Sequence, residues 1–218
     1  MKITLTDLGK RFNREWIFRH LNFEFTSPGA YAITGPNGSG KSTLLQVIAG
    51  AVGQSEGKVN YYIPATDANS AQSESGNGVL ESEQVYSQIS LAAPYLELVE
   101  EMTLLEFLNF HHLFKPFISI VSSDQIIAEL DLEESAHKQM RYFSSGMKQR
   151  VKLAQAIFTD TPVLLLDEPC TNLDEEGIAL YHQLIGNYAE NRLVVVSSND
   201  VEEYRFCARQ LHMADYKT

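Results

Sequence analysis

The stretch Gly35-Pro36-Asn37-Gly38-Ser39-Gly40-Lys41-Ser42-Thr43 has the residue types and the spacing to hold a chain of phosphates. It fits G-x-x-x-x-G-K-[ST], a pattern in which backbone N–H groups turn inward around an anion. Glycine permits this, because it reaches positive φ at no steric cost and lets the backbone come close to a ligand. Lys41 adds a mobile charge for the β and γ phosphates, and Ser42 a hydroxyl for Mg²⁺. The alternative is a glycine-rich turn that binds nothing. The flanks argue against it. Ala30–Thr34 reads as a short buried strand, and Thr43–Ala49 as a helix closed by Gly50 at C′. The N-terminus of that helix favours negative charge.

A second candidate is Pro162-Val163-Leu164-Leu165-Leu166-Asp167-Glu168-Pro169. A continuous apolar run suggests a strand covered on both faces, as in a parallel sheet. Asp167 and Glu168 then emerge at its C-terminal edge, where ligands of open α/β sheets bind. One acid there can hold Mg²⁺ and the next can polarise an attacking water. Alternatively, the pair only caps the following turn. A third candidate is Ser144-Ser145-Gly146-Met147, which opens a helix. The serines can cap it, and Gly146 leaves backbone N–H groups uncovered for an anion.

Other residues weigh less. Phe12 or Trp16, between the first strands, could stack on an adenine ring or simply pack. His111-His112 is tempting as a metal pair, but adjacent helical residues point in different directions. Cys170 reads as a small filler residue.

The elements that must position these residues alternate in type. Lys2–Thr6 and Leu21–Thr26 have strand periodicity and open the chain with antiparallel pairing; Gly57–Ile63 is a further strand. Thr66–Asn77 is small and polar and reads as a mobile loop, and Glu83–Leu91 as a strand. From Tyr95 to Gln139 the pattern is helical, with Thr103 and Glu106 forming a capping box and a second helix starting at Ser123-Asp124. Asp174 starts another helix, Leu193–Ser198 is a second buried strand, Val201–Ala208 is helical and Gln210–Met213 is a last strand.

Length suits one α/β domain with an ample core. Lys plus Arg number 17 and Asp plus Glu 28, for a net charge of −11. An acidic chain without basic clusters argues against a nucleic-acid partner. The two cysteines do not make a disulfide framework and suit a reducing cytosol. Met1–Asp7 shows no export signal, and no run approaches the roughly 18 apolar residues of a membrane span. Any service to a membrane would be from the side, through a partner.

In order and spacing these pieces resemble the ATP-binding subunit of ABC transporters, over essentially the whole chain. The resemblance implies a P-loop NTPase (RecA-like) α/β core with an antiparallel β subdomain and an inserted α-helical subdomain. The core would occupy 1–94 and 159–218, and the helical subdomain with the signature motif 95–158. Gly35–Thr43 matches the Walker A loop, which assigns Gly35, Pro36, Asn37, Gly38, Ser39, Gly40, Lys41, Ser42 and Thr43 to nucleotide binding. Val163–Glu168 matches Walker B, with Asp167 as Mg²⁺ ligand beside Ser42 and Glu168 as catalytic base. Phe143–Met147 sits at the L-S-G-G-Q signature, Thr171–Asp174 at the D-loop, and Phe12 at the adenine-stacking aromatic, which lifts it above Trp16.

The resemblance also implies a head-to-tail dimer, homodimeric or paralogous, with two ATPs between subunits. Ser144 and Gly146 of one copy would close over the ATP held by the other. Transmembrane permease subunits would be the partners, at the inner face of the cell membrane, with the Thr103–Phe110 segment towards them. Three features depart from the family. No glutamine stands near Pro94, where the Q-loop glutamine falls; Gln84 and Gln88 lie too early. Asn199 stands at the switch histidine, and can bond the γ-phosphate but carries no charge. The signature has Ser145 for a glycine and Met147 for the glutamine. Lys41, Glu168 and Asn199 form the expected catalytic set of a transport-coupled ATPase. The alternative is an ATP-dependent regulatory or binding module with weak hydrolysis.

Overall fold

Period-2 alternation near the N-terminus builds one sheet, and the unbroken apolar runs build another. A computed structural model describes residues 1–64 and 77–217. In it β1 (Lys2–Phe12) and β2 (Glu15–Thr26) form an antiparallel hairpin, longer than the alternation alone predicts. β3 (Gly29–Thr34) leaves this sheet and runs into α1 (Lys41–Ile48). β4 (Glu56–Pro64) returns to pair antiparallel with β1, and β5 (Asn77–Val79) adds to β4. The loop expected over 66–77 lies outside the described residues, except for Asn77, which opens β5.

The strand expected over Glu83–Leu91 is instead a helix followed by a short strand. α2 spans Ser82–Gln88 and β6 only Ile89–Ala92. Val85 and Ile89, the apolar residues that suggested a strand, are four apart and both buried, which is also a helical spacing. Gln84 reaches back to accept from Glu81 N–H at 3.4 Å, a first-turn contact that favours the helix.

α3 (Leu104–Phe114) has the predicted capping box: Thr103 Oγ1 accepts from Glu106 N–H and Glu106 Oε2 from Thr103 N–H. α4 (Ser123–Glu129) is capped one residue earlier than expected, by Ser122. α5 (Ser145–Ile157), β7 (Val163–Asp167), α6 (Glu175–Tyr188) and β8 (Leu193–Ser197) follow. The helix predicted for Val201–Ala208 stops early: α7 is Val201–Tyr204, and β9 begins at Arg209. The chain must turn there, because Arg209 pairs with Tyr31 and enters the sheet beside β3.

The central sheet has the order β6-β7-β8-β3-β9, all parallel. Both its faces are covered. Leu164, Leu166, Val194 and Val196 join the core under α3, α4, α5 and α6. The alternate residues Val163, Leu165, Leu193 and Val195 join α1 and the antiparallel sheet. This double burial is why β7 and β8 read as continuous apolar runs. Because β3 and β7 flank β8 in parallel, the glycine-rich loop after β3 and Asp167 at the end of β7 leave the sheet at the same edge.

Candidate nucleotide site

The loop after β3 is held open for a ligand by its glycines. Gly38 has φ 76° and nothing within 4 Å of where a Cβ would stand. Gly40 has φ 98°, caps α1, and lies so close to β2 that a Cβ would come 2.5 Å from Ile17 Cγ2. The antiparallel sheet is therefore packed directly against the loop. Lys41, the first helical residue, is 5% exposed, and its Nζ donates to Gly35 O at 2.9 Å and Pro36 O at 3.5 Å. Ser39 Oγ is buried with no hydrogen-bond partner, which marks an unmet polar need inside the loop.

Across the edge, Asp167 is 2% exposed and its Oδ1 has no hydrogen-bond partner. A buried, unpartnered carboxylate oxygen is costly unless a cation meets it. The neighbouring Ser197 Oγ, at the end of β8, is likewise unpartnered. Glu168 follows with φ 43°, a conformation that side chains rarely adopt, and its N–H donates to Ser197 O at 2.9 Å. The backbone thus turns sharply out of β7 at the residue assigned as base. Asp167 with Ser42 makes a sparse donor set. That suits Mg²⁺, which keeps several waters and phosphate oxygens, better than a metal needing an all-protein cage.

Asn199 also belongs to this cluster. Its Oδ1 accepts from Gly35 N–H at 3.2 Å, and its Nδ2 donates to Asn37 Oδ1 at 3.1 Å. At the hairpin tip Phe12 is 47% exposed and pairs with Glu15. Lys10 and Phe12 share a face of β1, with Lys10 Nζ 4.8 Å from the Phe12 ring, and Lys10 pairs with Phe18, which lies beside Gly40, so Phe12 lies on the face that meets Gly40. Trp16 points the other way, between the guanidinium groups of Arg11 and Arg19 at 5.4 and 4.2 Å.

Ser144 and Gly146 are not brought to the loop. Ser144 caps α5 through Met147 N–H, and a Cβ on Gly146 would lie 3.1 Å from Asn172 O. With Arg150, Asn172 and Asp174 they line a separate polar cleft of about 690 Å³ that no residue of 35–43 enters. Within one chain the loop of residues 35–43 and this cleft are therefore separate.

Two residues that bind the site together were not singled out from sequence. Gln149 Nε2 donates to Pro169 O at 2.7 Å, tying α5 to the turn after Glu168. Glu203, 5% exposed, accepts from Cys170 N–H at 2.7 Å, and burial pushes its carboxyl above the usual range. No sequence pattern marks it, because in α7 it is Val201, not Glu203, that an apolar pattern would turn inward, and Val201 is 60% exposed. The remaining candidates have other work. His111 Nε2 pairs with Thr159 Oγ1 at 2.9 Å and His112 Nδ1 accepts from Phe117 N–H at 3.1 Å. Among the described residues no group of three or more His, Cys, Asp or Glu is gathered as a metal cage. Cys170 is buried and its thiol pushed up to about 12 by burial, so it is inert filler.

Comparison with known proteins agrees with this geometry. Residues 18–171 match the family described as ABC transporter. An uncharacterized ABC transporter ATP-binding protein of Bacillus subtilis (strain 168) is 29% identical, over 92% of this chain and 87% of its own length. The cytochrome c biogenesis ATP-binding export protein of Agrobacterium fabrum is also 29% identical, over 91% and 88%. Among solved structures, a putative ABC transporter ATP-binding protein from Pyrococcus furiosus superposes over 100% of both chains, with a TM-score of 0.78 at 19% identity. A dimeric bacterial ABC transporter cassette gives a TM-score of 0.76 at 24% identity, over 96% of this chain and 93% of that one.

Proposed function

This chain belongs to the ABC transporter family, as an ATP-binding protein of that family, and from that premise we propose that it binds and hydrolyses ATP as the motor subunit of a membrane transporter. The observation that carries the proposal is the buried, unpartnered Oδ1 of Asp167, at the sheet edge where the phosphate-binding loop also ends. In this reading Lys41 turns from the Gly35 and Pro36 carbonyls to the β and γ phosphates, and backbone N–H groups of Gly38–Thr43 hold the rest. Ser42 and Asp167 would hold Mg²⁺, which when bound would neutralise charge building on the phosphates. Glu168, thrust out by its left-handed backbone, accepts the proton of the attacking water. Phe12 stacks on the adenine.

Ser144 and Gly146 lie in a cleft of their own, so the reading needs a second copy of the chain, or a paralogue, arranged head to tail. The dimeric form of a structural neighbour is consistent with this arrangement. Among the described residues no helix is long and apolar enough to cross a membrane, so we assign transport itself to separate permease subunits at the inner face of the membrane. Within the 95–158 unit, the Thr103–Phe110 segment is taken as the part that meets them.

The test is turnover and assembly with MgATP. The parent should hydrolyse ATP, and Glu168→Gln should lose turnover while forming a dimer stabilised by ATP. A parent that binds ATP without turnover overturns the motor. That outcome favours a nucleotide-dependent binding module, the second reading, which the neutral Asn199 at the switch position and the absence of a glutamine at Pro94 support.

A further inference from the structure

The hairpin that carries Phe12 bends through two bulges that face each other. Leu5 pairs with Phe23 and Leu8 with Leu21, so Thr6 and Asp7 stand opposite the single residue Asn22. Lys10 then pairs with Phe18, so the single residue Gly9 stands opposite Arg19 and His20. Each strand thus carries one extra residue. Asp7 has φ 46° and His20 φ 56°, a region that Asp, Asn and His enter more readily than other side chains. Three bonds close the pair. His20 Nδ1 lies 2.8 Å from Asp7 Oδ1, Asp7 N–H donates to Asn22 Oδ1 at 2.9 Å, and Asn22 Nδ2 donates to His20 O at 3.1 Å. On the other side, β4 makes room through Gly57 at φ 75°, where a Cβ would overlap Asp7 O. The side chains of Asp7 and His20 are each 62% exposed, so core packing does not explain them.

The bulges change which face each side chain takes. Ile3, Leu5 and Leu8 enter one core, although Leu5 and Leu8 are an odd number of residues apart. On β2, Leu21 and Phe18 do the same. Strict alternation from Ile3 and Leu5 would turn Gly9 and Arg11 inward and Phe12 outward. With the bulge, alternation restarts at Leu8 and carries Lys10 and Phe12 to the face of Phe18, beside Gly40. We propose that Asp7, His20 and Asn22 are positioning residues for the nucleotide base: by holding the opposed bulges they turn Phe12 towards the loop of residues 35–43, and so set how much more tightly ATP binds than a bare triphosphate. The proposal rests on the reading of that loop as a nucleotide site and of Phe12 as its stacking residue. The effect of the three residues reaches the nucleotide only through the course of β1 and β2.

Calorimetric titration of the full chain with MgATP and with magnesium triphosphate separates the base from the phosphates. Valine, branched at Cβ, strongly disfavours positive φ, whereas glycine enters it freely. Asp7→Val and His20→Val should therefore weaken ATP about tenfold and move triphosphate by less than about twofold. Asp7→Gly and His20→Gly keep the backbone shape and should hold ATP within about threefold of the parent. Asn22→Ala removes two of the three bonds and should weaken ATP about threefold, with triphosphate unchanged. Valine variants that only lower Tm, and keep the parent's margin of ATP over triphosphate, overturn the proposal. So do variants that weaken both ligands alike, or glycine variants that lose as much as the valine ones. Should the valine variants fail to fold, Asn22→Ala decides, and an unchanged margin there overturns the proposal. A parent that binds neither ligand, or both equally, overturns the nucleotide reading and this proposal with it. A parent that shows the margin, with variants that do not alter it, overturns this proposal alone.

Discussion

Replacing Gly40 by alanine probes how tightly the antiparallel sheet is pressed on the phosphate-binding loop. Two costs add. At φ 98° an alanine is strained, at about 1–2 kcal/mol for a left-handed residue with a Cβ. The new methyl also lies 2.5 Å from Ile17 Cγ2 and 3.3 Å from Phe18 Cδ1, so β2 or the loop must shift. Overpacking of this kind costs about 1–3 kcal/mol, so Gly40→Ala should destabilise by about 2–5 kcal/mol in total. The parts separate in a double-mutant cycle with Ile17→Ala. That partner removes the clash but not the backbone strain, so the cycle should return a favourable coupling of about 1–3 kcal/mol. Urea unfolding reads the stabilities, and MgATP titration shows whether the loop is deformed as well. A cost below about 1 kcal/mol for Gly40→Ala, or additivity with Ile17→Ala, would refute the close packing of β2 on the loop.

Other outcomes follow from the same geometry. Phe12→Ala should weaken ATP by the loss of one stacked base, about 1–3 kcal/mol, and leave inorganic triphosphate unaffected; Trp16→Ala, held between Arg11 and Arg19, should change neither. Lys41→Ala should abolish tight MgATP binding, and an unchanged titration would reject its role at the phosphates. Burial, aided by the charges of Lys115 and His112, holds His111 down to about 4 against an ordinary 6.5. The unfolded chain therefore takes up that proton first as pH falls. The contribution of His111 is fully present above about pH 6.5 and is lost as pH falls towards 4. Thermal melts of His111→Gln should show a shallower loss over that window than the parent; identical slopes would exclude this histidine as a cause.

Local chemistry alone determined much of this protein. The spacing Gly35–Ser42 specifies a phosphate-binding loop because few other sequences place inward N–H groups, a lysine and a hydroxyl together. Apolar runs at Val163–Leu166 and Leu193–Val196 specify a sheet buried on both faces, since any exposed face would carry polar residues. Caps at Thr103 and Asp174 are legible because each is made by residues three apart. Other features depend on contacts between segments far apart in the chain. Val85 and Ile89 fit either period; the first-turn contact of Gln84 with Glu81 favours the helix, and the pairing of Ile89–Ala92 with β7 sets where the strand begins. That Phe12 and not Trp16 lies on the hairpin face meeting Gly40 required the register and the approach of Ile17 and Phe18 to Gly40. The bonds of Asn199 to Gly35 and Asn37 and of Glu203 to Cys170 join residues 164, 162 and 33 positions apart. No periodicity or spacing reaches that far, because such contacts exist only once the sheet has brought its strand ends to a common edge.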